Sequence, residues 1–114
     1  MENIIYNELC LRGYQVDVGT VKVVKRNMRG EQYRANLEID FVVNKASQRY
    51  YIQSAFSIPD REKMEQETQP LNNINDSFKK VVIVKDNIRP WHNQKGILIM
   101  GLMDFLLNPN SLDF

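Results

Sequence analysis

Residues 33–58 read YRANLEIDFVVNKASQRYYIQSAFSI, and their alternation is that of two β-strands joined by a polar turn. In the first strand, about 33–44, Leu37, Ile39, Phe41 and Val43 fall on one face, and Glu38, Asp40 and Val42 on the other. Lys45-Ala46-Ser47-Gln48 forms the turn. The second strand, 49–58, sets Tyr50, Ile52, Ser54, Phe56 and Ile58 against Tyr51, Gln53, Ala55 and Ser57.

Upstream, residues 15–26 alternate as a further strand. Val16 and Val18 are in phase, Val21 and Val23 are in phase one residue later, and Gly19-Thr20 marks a bulge between the pairs. Residues 27–32 (NMRGEQ) are the intervening turn. Before them, residues 2–13 have the spacing of an amphipathic helix through Ile4, Ile5, Glu8, Leu9, Leu11 and Arg12, stopped by Gly13. The chain enters this helix without a polar lead-in, which suggests a boundary set inside a longer protein.

Downstream the period changes. Pro59-Asp60 opens a helix to about residue 74, with Met64, Thr68 and Leu71 on one face and Pro70 as a kink or break. Residues 79–85 (KKVVIVK) form a short, nearly continuous apolar strand, as in a sheet covered on both faces. A loop through Asn87, Pro90, Trp91, His92 and Gly96 leads to a last strand at Ile97–Met100 and a short helix at Leu102–Leu107. The order α-β-β-β-α-β-β-α predicts one α/β domain over residues 1–114. Its mixed sheet starts as an antiparallel meander and adds a parallel strand through a crossover helix.

Composition narrows the function classes. At 43% hydrophobic and 25% charged, the chain has the profile of a soluble globular domain, and its formal charge of +1 lacks the basic excess of a dedicated nucleic-acid binder. The exception is local: Lys22, Lys25, Arg26, Arg29 and Arg34 cluster in the first two strands and their turn. They fit either a phosphate-contacting surface or, as the preferred reading, a charged edge that blocks strand pairing. A single cysteine, Cys10, excludes an intrachain disulfide and makes a reducing, cytoplasmic setting the expectation. No apolar run approaches membrane-helix length, so no membrane partner is expected.

Chemistry concentrates on the quoted hairpin. Asp40 sits mid-strand in Glu38-Ile39-Asp40-Phe41, and the next strand offers Gln53 and Ala55 two residues apart on one face. This layout resembles the metal site of the restriction-endonuclease-like (PD-(D/E)XK) superfamily, which carries an Asp on the second strand and Glu-X-Lys on the third. A helix carboxylate, here Glu8, often completes the site in that superfamily. Two or three carboxylates hold Mg²⁺ against the phosphate and the lysine helps activate water. Gln53-Ser54-Ala55 departs from that motif: Gln53 keeps a carbonyl oxygen without the charge, and Ala55 has no amine. The resemblance therefore implies relic positions at Glu8, Glu38, Asp40, Gln53 and Ala55 and no catalysis.

The ordered phrases Glu2-Asn3-Ile4-Ile5-Tyr6-Asn7-Glu8-Leu9, Gly13-Tyr14, Glu38-Ile39-Asp40-Phe41-Val42, Tyr50-Tyr51-Ile52-Gln53 and Lys80-Val81-Val82-Ile83-Val84 narrow the resemblance. Together they are similar to the C-terminal domain of unknown function that follows the ATP-binding domain in a large family of bacterial and archaeal AAA-type ATPases. A glutamine at the third-strand position is common there. The resemblance implies an upstream ATPase domain as partner, with ATP and Mg²⁺ belonging to that domain; this chain carries no G-x-x-x-x-G-K-[ST] loop and no cofactor is expected in it.

The plainer reading of each residue stands beside the sharper one. Asp40 fits a relic ligand or an outer-face polar residue; Glu8 fits a solvated helix position; Glu38 shares the Asp40 face and fits a substitute ligand. Gln53 fits a hydrogen-bonding role that holds Asp40 in place, since a buried amide must be paired. His92, next to Trp91, lacks ligand-spaced partners, and Cys10 reads as a small buried apolar residue. Three functions compete. One is a non-catalytic module docking a protein or nucleic acid. Another is a metal-dependent nuclease using Asp40, Glu38 and Glu8 with a relocated lysine, Lys45 or Lys22. The third is an unrelated α/β protein-interaction domain.

Overall fold

Gly13 stops the first helix as its sequence predicts. In the computed structural model, helix α1 (Glu2–Leu11) ends with Gly13 at φ +85°, whose N–H donates to Cys10 O while Tyr14 N–H reaches back to Leu9 O. That pair of bonds satisfies two end carbonyls through a left-handed residue best filled by glycine. The structure describes residues 1–56, 61–74 and 76–114, and within the second helix the side chains of 61–64 and 67 lie outside that description. The expected positions of Ser57, Ile58, Pro59, Asp60 and the Met64 side chain therefore fall outside the described residues.

Among the described residues six strands follow: β1 (Gln15–Arg26), β2 (Gln32–Lys45), β3 (Gln48–Ala55), β4 (Lys79–Val84), β5 (Trp91–His92) and β6 (Leu98–Gly101). Helix α2 (Arg61–Asn72) joins β3 to β4, and α3 (Leu102–Leu107) with a 3-10 turn (Ser111–Asp113) closes the chain. The sheet order is β1-β2-β3-β4-β6-β5. The β1–β2 and β2–β3 pairings are antiparallel, β3–β4 and β4–β6 parallel, and β5–β6 antiparallel. This is an α/β fold with an open mixed sheet: the meander, the crossover and the parallel strand are all present. Two local expectations change. Trp91-His92 is not loop but a short edge strand, and Pro70 does not break α2, which runs two residues further before it ends.

Both faces of the sheet are covered. Ile5 and Leu9 of α1, Phe105 of α3 and Leu112 pack with Phe41, Val43, Tyr50, Ile52, Val81, Ile83, Leu98 and Met100. Leu71 of α2 and Ile74 pack with Leu37, Ile39, Tyr51, Ala55, Val82, Val84, Ile97 and Ile99 on the other side. Burial on two faces explains why β4 reads as VVIV rather than as an alternation. The buried stripe of α1 is narrower than the sequence suggested, because only Ile5 and Leu9, one turn apart, are buried and Leu11 is 83% exposed. Cys10 corrects an expectation for the same reason. One position past Leu9, it turns about 100° off that stripe and is exposed.

The largest correction lies in β2. Leu37 and Ile39 belong to the α2 face, whereas Phe41 and Val43 belong to the α1 face, so these four do not share one side. The register explains it. Asp17 pairs with Val42 and Gly19 with Ile39, leaving one residue of β1 opposite two of β2, Asp40 and Phe41. The slip is a β-bulge, and its extra residue is on β2 rather than at Gly19-Thr20. One inserted residue flips every later side chain of the strand to the other face.

Candidate functional site

The bulge puts Asp40 where β2 parts from β3. Backbone pairing between these strands starts at Phe41 and Ile52 and runs toward the Lys45–Gln48 turn. Beyond it, side chains replace the ladder. Gln53 Oε1 accepts from the Asp40 N–H at 2.7 Å, and Gln53 Nε2 donates to Glu38 O at 3.3 Å. A side-chain carboxamide offers one acceptor and donors, the pattern of a peptide group. Gln53 thus continues the β-ladder where the strands have separated.

Asp40 makes the reciprocal contact. Its Oδ2 accepts from the Ser54 N–H at 2.8 Å and from Ser54 Oγ at 2.9 Å. Asp40, Gln53 and Ser54 form a closed clasp across the fork, each part-buried or at its edge. Glu2 stands beside it at the start of α1, with its Oε1 3.4 Å from Ser54 Oγ. Glu2 is therefore the helix carboxylate nearest Asp40. Sequence reasoning placed that role on Glu8, but Glu8 pairs with Arg12 at 3.5 Å, one turn on. The signal for Glu2 was its place in the first turn of the helix; what hid it was the direction in which α1 crosses the sheet.

The remaining expected site residues separate. Glu38 is exposed and contributes its backbone carbonyl rather than its carboxylate. Ala55 is buried on the α2 side, among Leu37, Ile39, Leu71 and Val82, facing away from the Asp40 carboxylate. Lys45 Nζ donates to Arg12 O at 2.9 Å and lies 5.2 Å from the centre of the Tyr14 ring, at the turn end of β2. Lys22 pairs with Asn36, out on the part of β2 that β3 does not reach. Among the described residues no group of three or more His, Cys, Asp or Glu side chains is placed to hold a metal ion. His92 and Trp91 are exposed on the edge strand β5.

Two tyrosines fasten β3 from either face. Tyr50 OH donates to Asp113 Oδ1 at 2.6 Å, and Tyr51 OH to Asp76 Oδ2 at 2.7 Å. Burial, followed by the hydrogen bond to an anionic partner, pushes both phenols above their ordinary range. Burial alone would raise the Asp76 carboxyl. The bonds it accepts from Tyr51, the Phe78 N–H and Lys80, together with the Lys80 charge, outweigh burial and hold it below its ordinary 3.8. Tyr50 and Asp113 also line a recess of about 390 Å³ with Arg12, Tyr14, Lys45 and Gln48.

No family model matches the chain. Over 107 residues it is 35% identical to an uncharacterized protein of Haemophilus influenzae, an alignment that takes in 94% of this chain and 22% of that protein. The chain thus spans about a fifth of the length of the relative it matches. Among the described residues, no helix is long and apolar enough to cross a membrane.

Proposed function

We propose that this chain is a non-catalytic docking module with a restriction-endonuclease-like fold, the C-terminal domain of a AAA-type ATPase. What supports the fold is an antiparallel meander feeding a crossover helix and a parallel strand, with Asp40 on the second strand at the fork to the third. The ordered phrases that resemble the ATPase-linked domain span nearly the whole chain. The match to a fraction of a longer Haemophilus protein agrees with a module carried in a larger polypeptide.

The observation that carries the absence of catalysis is the closed clasp. Phosphodiester hydrolysis in this superfamily needs anionic ligands facing a phosphate and an amine near water. Here Asp40 Oδ2 is engaged by two Ser54 donors and both polar ends of Gln53 by backbone. The lysine position is a buried alanine on the opposite face. The nuclease alternative draws on one specific observation, the Glu2 and Asp40 carboxylates reaching one hydroxyl. Neither expected lysine supplies an amine at that hydroxyl, since Lys45 is bonded at Arg12 O and Lys22 stands on the outer hairpin.

Supercoiled plasmid incubated with the chain and Mg²⁺ or Mn²⁺ tests the reading. Wild type and Asp40→Ala are expected to give the same background of nicked product. Metal-dependent nicking by the wild type that Asp40→Ala abolishes would overturn it.

A further inference from the structure

The outer half of the β1–β2 hairpin, about residues 20–38, runs past the end of β3 pairing as a two-stranded arm. Register sorts its side chains. Val21 and Val23, opposite Leu37 and Ala35, turn to the α2 side, where Val21 and Val23 pack against the core cluster that includes Leu37. Alternation places Lys22, Val24 and Arg26, with their partners Asn36, Arg34 and Gln32, on the other side. Lys22, Arg26 and Arg34 therefore share one face of a projecting ribbon, with Arg29 at its tip.

The charge on this arm is unbalanced. It carries Lys22, Lys25, Arg26, Arg29 and Arg34 against Glu31 and Glu38, in a chain whose total is +1. Among the described residues none of the five cations is held in an ion pair with a carboxylate. Lys22 and Arg26 are four residues apart, roughly 13 Å along the strand, with Arg34 across from the position midway between them. Edge blocking requires charge along β1 alone. It does not require Arg34 of β2 to join Lys22 and Arg26 on one face. Exposed Val24 adds apolar contact beside the cations on that face, whereas Tyr33, opposite Lys25, lies on the other.

We propose that this arm binds duplex nucleic acid, its Lys22–Arg26–Arg34 face contacting phosphates. The proposal names the docking partner of the non-catalytic module and rests on that reading for the module's role. A two-stranded ribbon is narrow enough to lie in a major groove about 12 Å wide. Unpaired lysine and arginine on one face supply sequence-independent affinity through counterion release.

The test is fluorescence anisotropy of a labelled mixed-sequence 20-bp DNA duplex titrated with the 114-residue chain. Three phosphate contacts predict a fall in affinity of about 40-fold between 50 and 200 mM salt. Changing Lys22, Arg26 and Arg34 to Gln together is expected to weaken binding about tenfold or more at 50 mM salt. The log–log salt slope should drop by about 2.7. Changing Arg89 and Lys95 to Gln, on either side of β5 at the far end of the sheet, is expected to leave binding in place. Equal binding by the arm variant, with its thermal melt unchanged, would overturn the proposal. So would equal loss in both variants, or displacement of the duplex by poly-glutamate at matched charge, which would mark a surface for acidic protein instead. Parallel gels with Mg²⁺ separate the two claims: a bound and cut duplex refutes the non-catalytic reading alone, and an unbound, uncut duplex refutes the arm alone.

Discussion

Gln53 shows how one residue can be read correctly and still misplaced. Its lost charge is visible in the sequence, as is the need to pair a buried amide. Its partners are not, because they depend on a bulge whose extra residue lies on β2, across from the Asp17–Gly19 segment that carries the glycine signal. The carboxamide stands in for a peptide group between Asp40 N–H and Glu38 O. Replacing it with a leucine of similar size leaves both backbone groups unpaired, so Gln53→Leu is expected to cost about 1–3 kcal/mol in urea unfolding. A loss under about 0.5 kcal/mol would mean that the carboxamide adds nothing to the fork. Asp40 and Ala55 teach the same lesson: their types were legible, but not that they face opposite sides of the sheet.

At the scale of elements, most boundaries followed from local chemistry. Gly13 ends α1, the period-2 runs mark β1 to β3, and the apolar run of β4 announces burial on both faces. The missed elements lack such signals. Trp91-His92 has only two residues and is a strand solely because β6 lies beside it. The join from β6 to α3 makes a prediction of its own. A Cβ on Gly101 would stand 2.6 Å from Asp86 O and 3.1 Å from Ile88 N, against backbone that cannot yield cheaply. Gly101→Ala is expected to destabilise by about 1–3 kcal/mol, read from the urea midpoint. The Tyr51–Asp76 bond ties the segment before β4 to β3. Because the folded-state pKa of Asp76 lies below its ordinary value, its contribution is fully present above pH 3.8 and is lost as pH falls through the lowered value. Wild type should therefore lose more stability than Asp76→Asn between pH 5 and pH 2. Parallel acid limbs would show that this carboxylate contributes nothing.

Across the whole molecule, the sheet has a covered centre and an uncovered arm. Strands β3, β4 and β6 are packed from both sides, while residues 24–34 of the β1–β2 hairpin contribute nothing to either core cluster among the described residues. Native-state amide exchange is expected to be slowest in β3, β4 and β6 and faster by orders of magnitude near residues 24–34. Uniform protection along the hairpin would contradict an independent arm. The fork between arm and centre is where Asp40 sits, and its role there separates a structural clasp from a working ligand. A carboxylate kept for metal binding is commonly held at a cost to stability, so removing it leaves stability unchanged or raises it. A carboxylate that accepts two hydrogen bonds across a strand fork stabilises the fold. The deciding measurement is the urea unfolding free energy of Asp40→Ala against wild type in metal-free buffer at pH 7. A loss of about 1–3 kcal/mol is predicted; equal or greater stability of the variant would contradict the structural role assigned to Asp40.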